Sequence, residues 1–144
     1  MPSWDNLDWN RCEQLAQDAD RIPQQPGTYA VRCAPGGEPR VVCRAFGPDK
    51  SGILCFGRTT QTTKGLRGRI GAFLRCSGGV GSGHAEGERY HQLRYAEHGF
   101  RQGDLEVAWV AFSAPDQAKR QELSWFDEYS DVFGELPPLN RKRG

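Results

Sequence analysis

The cationic side chains of this chain are concentrated in one stretch of sequence. No aspartate or glutamate occurs from Lys50 to Ala85, whereas six cationic residues fall there: Lys50, Arg58, Lys64, Arg67, Arg69 and Arg75. Most are arginines, whose planar guanidinium donates hydrogen bonds in a fork that matches phosphate oxygens. A solvated charged face usually carries both signs, so the missing acids favour an anionic partner over a plain polar surface.

One turn within this stretch is a candidate contact for that partner. The apolar run from Ile53 to Phe56 leads directly into Gly57, Arg58 and Thr59. Glycine lets a ligand approach the backbone closely, and the two side chains that follow add hydrogen-bond donors. The formal net charge is only +1, which excludes a protein that is basic throughout.

The histidines and cysteines indicate no metal cluster. His84, His91 and His98 are spaced by seven, which would place them on one helical stripe about 10 Å apart per step, too far to share a metal. His84, beside the glycine-rich loop 77–83, is the histidine best placed to touch a substrate. Five scattered cysteines without a C-x-x-C pair predict reduced thiols in a reducing compartment: Cys12, Cys33, Cys43, Cys55 and Cys76.

Length and hydropathy limit the class of protein. The 144 residues fit one domain, 1–144, with a core of its own. No apolar segment approaches the roughly 18 residues that a bilayer span needs, and the first residues are polar and acidic. We therefore expect an intracellular, cytoplasmic protein without a membrane partner, and the sequence makes no prediction of oligomeric state.

Hydrophobic periodicity predicts the elements that must position these residues. We expect strands at 27–33, 40–46, 53–57 and 105–112, with a turn over GPDKSG. We also expect four helices: one over about 5–19, one that begins after Thr62 or Thr63 as N-cap, one over 84–98, and one that ends at about Phe133. Hairpin strands followed by helices and one more strand predict an α+β fold: a small mixed or antiparallel sheet of three to four strands flanked by helices.

Five short motifs lie on these elements in order: PGTYAVR, LCFGRT, LRGRI, RQELSWFDEY and LPPLN. Together they resemble the GIY-YIG nuclease superfamily, over a span from Pro26 to Asn140. The resemblance implies a metal-dependent endonuclease that hydrolyses phosphodiester bonds of DNA, or else RNA, with Mg²⁺ or Mn²⁺ as cofactor.

The resemblance also implies three catalytic residues. Tyr29 matches the tyrosine that positions or deprotonates the attacking water, although a phenol with a pKa near 10 needs neighbouring cations to act as a base. Arg69 matches the arginine that clamps the scissile phosphate; Arg67 lies roughly 200° away on the same helix. Glu122 matches the metal-binding glutamate. Glu128 is the competing candidate, but its use would turn an aromatic stripe outward.

The remaining matched positions are assigned to binding or to structure. The expected nucleic-acid contacts are Gly57, Arg58, Thr59, Lys64, Arg67, Arg75 and His84, and the expected structural residues are Gly27, Cys55 and Asn140. Three positions depart from the family pattern: Thr28 replaces an isoleucine, Cys55 the second tyrosine, and Phe73 a histidine found in some members. The loss of the second tyrosine keeps open a domain that binds nucleic acid without cutting. A third hypothesis is an interaction module that uses Trp4 and Trp9 as exposed residues.

Overall fold

The computed structural model describes residues 2–143, which form a four-stranded antiparallel sheet, a separate two-stranded sheet and four α-helices. The α+β fold predicted from the sequence is therefore confirmed. The strands are β1 Asn10–Arg11, β2 Gly27–Cys33, β3 Val42–Arg44, β4 Gly47–Asp49, β5 Ile53–Thr59 and β6 Leu105–Ala111. The helices are α1 Cys12–Gln17, α2 Gly65–Ser77, α3 Ala85–Gln92 and α4 Pro115–Phe133.

The large sheet has the order β1-β6-β2-β5, so β2 has a strand on each side. All of its residues except Arg32 are buried, and most are apolar, which suits a strand that is covered on both faces. In the register of the sheet Tyr29 lies opposite Gly57 of β5 and opposite Trp109 of β6. Paired residues share a face, so these three positions lie in one row across the sheet.

Helices cover the sheet on both faces. On one face, Tyr29 and Val31 pack in a cluster with Leu66, Ile70 and Phe73 of α2. On the other face, Ala30 and Phe56 pack with Trp125, Phe126 and Tyr129 of α4. Burying each large apolar side chain contributes about 1.5–3 kcal/mol, so the two clusters hold α2 and α4 firmly against the strands.

The N-terminal segment differs from the expected helix over residues 5–19. Asn10 and Arg11 pair with β6, and because strand pairing needs an extended backbone, α1 begins only at Cys12. Trp4 is fully buried, with its ring centroid 5.2 Å from that of Phe56. Trp4 is therefore not available to an interaction surface of exposed tryptophans, and Trp9, the other residue of that hypothesis, is half-buried.

Helix α2 begins at Gly65 rather than after a threonine N-cap at 62 or 63. The N–H of Leu66 donates to the carbonyl of Gln25 at 2.8 Å, and that of Arg67 to the carbonyl of Pro23 at 3.1 Å. Gly65 has φ +54°, and a Cβ there would lie 2.3 Å from the nitrogen of Gln25. The loop before β2 thus caps α2 and fixes it to the first motif.

Two further predictions were only partly right. The segment expected as one strand over 40–46 and a turn forms the hairpin β3–β4. The helix expected over 84–98 ends at Gln92, because Arg94 has a left-handed backbone with φ 56°, and residues 95–98 form a short 3₁₀ helix. The three histidines consequently do not share one helical stripe.

None of the helices within residues 2–143 combines the length and apolar character that a membrane crossing requires.

Candidate active site

The three residues that the sequence predicts to act together line one cavity. It has a volume of about 680 Å³, and its walls include Tyr29 from β2, Arg69 from α2 and Glu122 from α4. Strand β5, helix α3 and residues 140–142 complete the wall. The phenol, guanidinium and carboxylate are separated by 93 positions in sequence, from 29 to 122, and the fold brings them to one place.

Tyr29 is almost fully buried beneath Gly57. A Cβ at position 57 would lie 2.3 Å from the Cζ and Oη atoms of Tyr29, so only glycine admits the ring there. Burial raises the pKa of Tyr29 well above 10, and Cys55 raises it further, while Arg69 lowers it only in part. Arg69 therefore acts in the expected direction, but in the chain by itself burial outweighs it and the pKa of Tyr29 is raised.

His84 lies behind Tyr29 rather than on the cavity wall. Its Nε2 atom is 2.5 Å from the phenolic oxygen, and the imidazole is fully buried. Burial, with a smaller contribution from Arg69, lowers its pKa from 6.5 to about 3, so the ring is neutral at physiological pH. The predicted contact of His84 with nucleic acid is not what this geometry provides.

Arg69 is held by α2 and by the loop before α3. One guanidinium nitrogen, Nη1, donates to the carbonyl of Gly83 at 3.0 Å, and no second acceptor occurs among residues 2–143. The remaining N–H groups are thus available to a ligand in the cavity. Arg67 points elsewhere: its Nε donates to the carbonyl of Ile22 at 2.8 Å, and it does not line the cavity.

Glu122 faces the cavity as a buried carboxylate. Its Oε1 accepts from Nη1 of Arg58, and no other donor reaches it within residues 2–143. Burial raises its pKa, whereas the hydrogen bond from Arg58 lowers it. Glu128 instead accepts hydrogen bonds from the N–H and the hydroxyl of Ser3 on the protein surface. The geometry thus favours Glu122 over Glu128 as a ligand.

The cavity offers a divalent ion the carboxylate of Glu122 rather than a cluster of protein ligands. No group of three or more histidine, cysteine, aspartate or glutamate side chains that could hold a metal occurs in the described part of the chain. Mg²⁺ is often held by one or two carboxylates, with waters and substrate oxygens as the other ligands. Glu122 can serve in this way, provided that Arg58 releases its carboxylate.

Two charged residues of α3 that the sequence analysis missed also line the cavity. The carboxylate of Glu86 lies 3.5 Å from Nη2 of Arg89 and 3.5 Å from Nδ2 of Asn140. Burial raises the pKa of Glu86, and Arg89 lowers it in part. The i, i+3 spacing of the pair places both on one face of a helix, which is the signal that could have identified them.

The predicted structural residues have clear roles. Asn140 accepts from the N–H of Phe56 at 2.9 Å and donates to its carbonyl at 3.0 Å, which fixes the strand just before Gly57. A Cβ at Gly27 would lie 2.5 Å from Leu66, so glycine admits α2 there. Cys55 is fully buried and desolvation raises its pKa well above 9, so its thiol has no access to the cavity as a nucleophile.

A second, smaller cavity of about 320 Å³ continues the cationic surface. It shares Thr59 and Arg69 with the first cavity and adds Lys64 and Arg75, whose side chains are exposed. Arg141 and Lys142 lie at the wall of the first cavity. Positive charge therefore extends from the first cavity into the second.

Searches of family models, curated proteins and solved structures find no match to this chain. The resemblance to the GIY-YIG superfamily stays a prediction that rests on the residues and on the geometry of the cavity.

Proposed function

We propose that this chain is a metal-dependent endonuclease of the GIY-YIG type that hydrolyses phosphodiester bonds of DNA. The observation that carries the proposal is the convergence of Tyr29, Arg69 and Glu122 on one cavity. A chance set of polar residues has no reason to come from three separate elements and to include a half-buried, fork-shaped donor, a buried phenol and a buried carboxylate. The free thiols of all five cysteines fit the cytoplasm as its place of action.

Each side chain has a role that its surroundings support. The free N–H groups of Arg69 bind the scissile phosphate and offset the charge that grows on its oxygens in the transition state. Tyr29 places the attacking water. Once the phenol has released its own proton to solvent, the water oxygen bonds to phosphorus and the water's proton passes to the phenolate oxygen. The ester P–O bond breaks, and the leaving oxygen takes a proton from solvent. Glu122 would hold Mg²⁺ or Mn²⁺, which supplies positive charge beside the phosphate.

The raised pKa of Tyr29 sets a condition on this mechanism. In the chain alone the phenol keeps its proton at neutral pH, so it first acts as a hydrogen-bond donor to the water or phosphate. Proton acceptance requires added positive charge in the cavity. We therefore expect cleavage to depend steeply on divalent cation and to increase with pH above neutrality.

The extent of the cationic surface supports a polymeric substrate. Lys64 and Arg75 line the second cavity, which shares Arg69 with the first, and Arg141 and Lys142 line the first cavity. A nucleic acid that extends beyond the first cavity can contact the cations of both, whereas a mononucleotide occupies the first cavity alone. The surface thus favours internal cleavage over removal of terminal nucleotides.

Plasmid nicking in Mg²⁺ or Mn²⁺ tests the proposal. We expect the purified chain to convert supercoiled plasmid to open circles, and Glu122→Gln to reduce the rate by about 10²-fold or more, because transition-state charge loses its support. Glu128→Gln is the matched control on the same helix and should cleave at the parent rate. A folded parent chain without nicking at any metal concentration would contradict the proposal, as would equal effects of the two substitutions.

A second candidate function is nucleic-acid binding without cleavage. Two observations favour it: Arg58 already neutralises Glu122, and Cys55 contributes no hydroxyl to the cavity. This candidate predicts salt-sensitive binding to DNA or RNA with no nicking, and affinity that Glu122→Ala leaves unchanged or raises. The plasmid assay and a binding titration on the same protein separate the two candidates.

A further inference from the structure

His84 is buried at the junction of three elements. It is the N-cap of α3, its ring meets Phe73 of α2 edge to face at 5.3 Å between centroids, and it reaches Tyr29 of β2. Gly87 makes this placement possible, since a Cβ there would lie 2.9 Å from the Cβ of Cys76 on α2. The close approach of α3 to α2 therefore determines where the imidazole lies.

The backbone of α3 decides which ring nitrogen of His84 carries the proton. The N–H of Gly87 donates to Nδ1 of His84 at 3.2 Å. A nitrogen that accepts a hydrogen bond carries no proton of its own, so Nδ1 is the unprotonated atom. In a neutral ring the proton is then on Nε2, the atom 2.5 Å from the hydroxyl of Tyr29.

We propose that His84 is a positioning residue for Tyr29, which donates Nε2–H to the phenolic oxygen and turns the phenol's own proton away from the imidazole. With His84 behind it, the hydroxyl directs its proton to the cavity side, where a water or phosphate oxygen would accept it. His84 cannot take that proton, because Nε2 already carries one and Nδ1 is occupied by Gly87. Its role is to orient the phenol and to stabilise negative charge on the phenolic oxygen.

The other groups that face Tyr29 make this donor important. Cys55 of β5, Glu86 of α3 and Glu122 of α4 all disfavour a negative phenolic oxygen, and Arg69 of α2 favours it. The guanidinium of Arg69 donates to the carbonyl of Gly83 and acts on the phenolic oxygen only through its electrostatic field. His84, in contrast, is within hydrogen-bond distance of that oxygen. A fixed donor of this kind serves the neutral and the charged phenol without rearrangement.

The catalytic consequence rests on the proposed endonuclease function, whereas the direction of the hydrogen bond does not. The two parts therefore have separate measurements, one of ring protonation and one of cleavage.

Nitrogen NMR of the full, ¹⁵N-labelled chain tests the hydrogen bond. The chain has three histidines, and the signals missing from His84→Gln assign the ring of His84. At pH 7 we expect a neutral ring with the proton on Nε2, and a change of that nitrogen's resonance in Tyr29→Phe while His91 and His98 stay unchanged. A ring protonated on Nδ1 or on both nitrogens, or one indifferent to Tyr29→Phe, would overturn the proposal whatever the protein's activity.

Cleavage by two variants tests the positioning role. His84→Gln keeps an N–H donor, and we expect it to retain activity within about tenfold; His84→Leu has none and should lower kcat by about 10²-fold with little change in KM. The pH at which the cleavage rate increases should also be higher for His84→Leu than for the parent. Equal losses in both folded variants, or none in His84→Leu, would overturn the role. If the parent chain does not cleave DNA, the proposed function fails and the NMR result stands alone.

Discussion

Several residues of the cavity lie in surroundings that oppose their usual ionisation. Burial raises the pKa of Tyr29, Glu86 and Glu122 and lowers that of His84, so each favours its neutral form. Burying such groups in and behind the cavity wall costs stability, which is common where side chains are arranged for chemistry. The arginines offset this cost only in part.

The neutral imidazole of His84 predicts a particular loss of stability in acid. Its pKa is 6.5 in the unfolded chain and about 3 in the fold, so below pH 6.5 the unfolded chain binds a proton that the native state does not. Between pH 7 and pH 5 the free energy of unfolding should fall by about 2 kcal/mol more in the parent than in His84→Gln.

Urea unfolding at the two pH values measures this difference. The carboxyls with raised pKa values, Asp49, Glu86 and Glu122, favour the native state in acid, but they are present in both proteins and cancel. His91→Gln, at an exposed position of the same helix, should behave as the parent does. Identical pH slopes for the parent and His84→Gln would show that the buried ring is not neutral.

At the level of elements, the sheet register controls how the cavity is built. The pairing of Tyr29 with Gly57 leaves room for the phenol, and Asn140 fixes β5 at the preceding residue. We expect Gly57→Ala to lower the free energy of unfolding by about 1–3 kcal/mol and to reduce cleavage, because the new Cβ overlaps the Tyr29 ring.

Gly71→Ala is the contrasting control for this prediction. Gly71 lies within α2, and the nearest atom to an added Cβ is the tip of Arg75 at 3.4 Å. Alanine should there raise the free energy of unfolding by about 0.5–1 kcal/mol, because it favours helix more than glycine does. Denaturant unfolding of both variants provides the measurement. A Gly57→Ala variant with an unchanged free energy of unfolding would show that the ring of Tyr29 does not lie against position 57.

The elements with strong local patterns were predictable from the sequence. Strands β2 and β6 agree with their expected limits to within one residue, and helix α4 ends at Phe133 as expected, because long apolar periods determine them locally. The start of α1 was not predictable, since it depends on pairing with β6, about 95 positions away. The same holds for the ion pair of Arg58 with Glu122 and for His84 behind Tyr29, which arise only when distant elements meet.

At the scale of the whole molecule, a net charge of only +1 is distributed unevenly. Arg69, Lys64 and Arg75 line one continuous surface, whereas Lys50, which belongs to the same acid-free stretch of sequence, lines neither cavity. Binding to nucleic acid should therefore depend on particular cations rather than on total charge.

Salt dependence of DNA binding tests this distribution. With Ca²⁺ in place of Mg²⁺, the affinity should fall as salt increases, and Lys64→Ala and Arg75→Ala should each reduce the slope of log K against log salt by about one. Lys50→Ala removes the same charge from elsewhere and should leave the slope nearly unchanged. Equal slopes for all three variants would indicate that binding is not directed to this surface.

The contact of Asn140 with Phe56 has a consequence for synthesis of the protein. The strand that carries Gly57 is held by a residue that follows Phe56 by 84 positions in the chain, so the cavity cannot be completed until position 140 has left the ribosome. A nascent chain that already contains Tyr29, Arg69 and Glu122 would lack the bond that orders them. The proposed endonuclease would thus stay inactive until residue 140 had joined the fold.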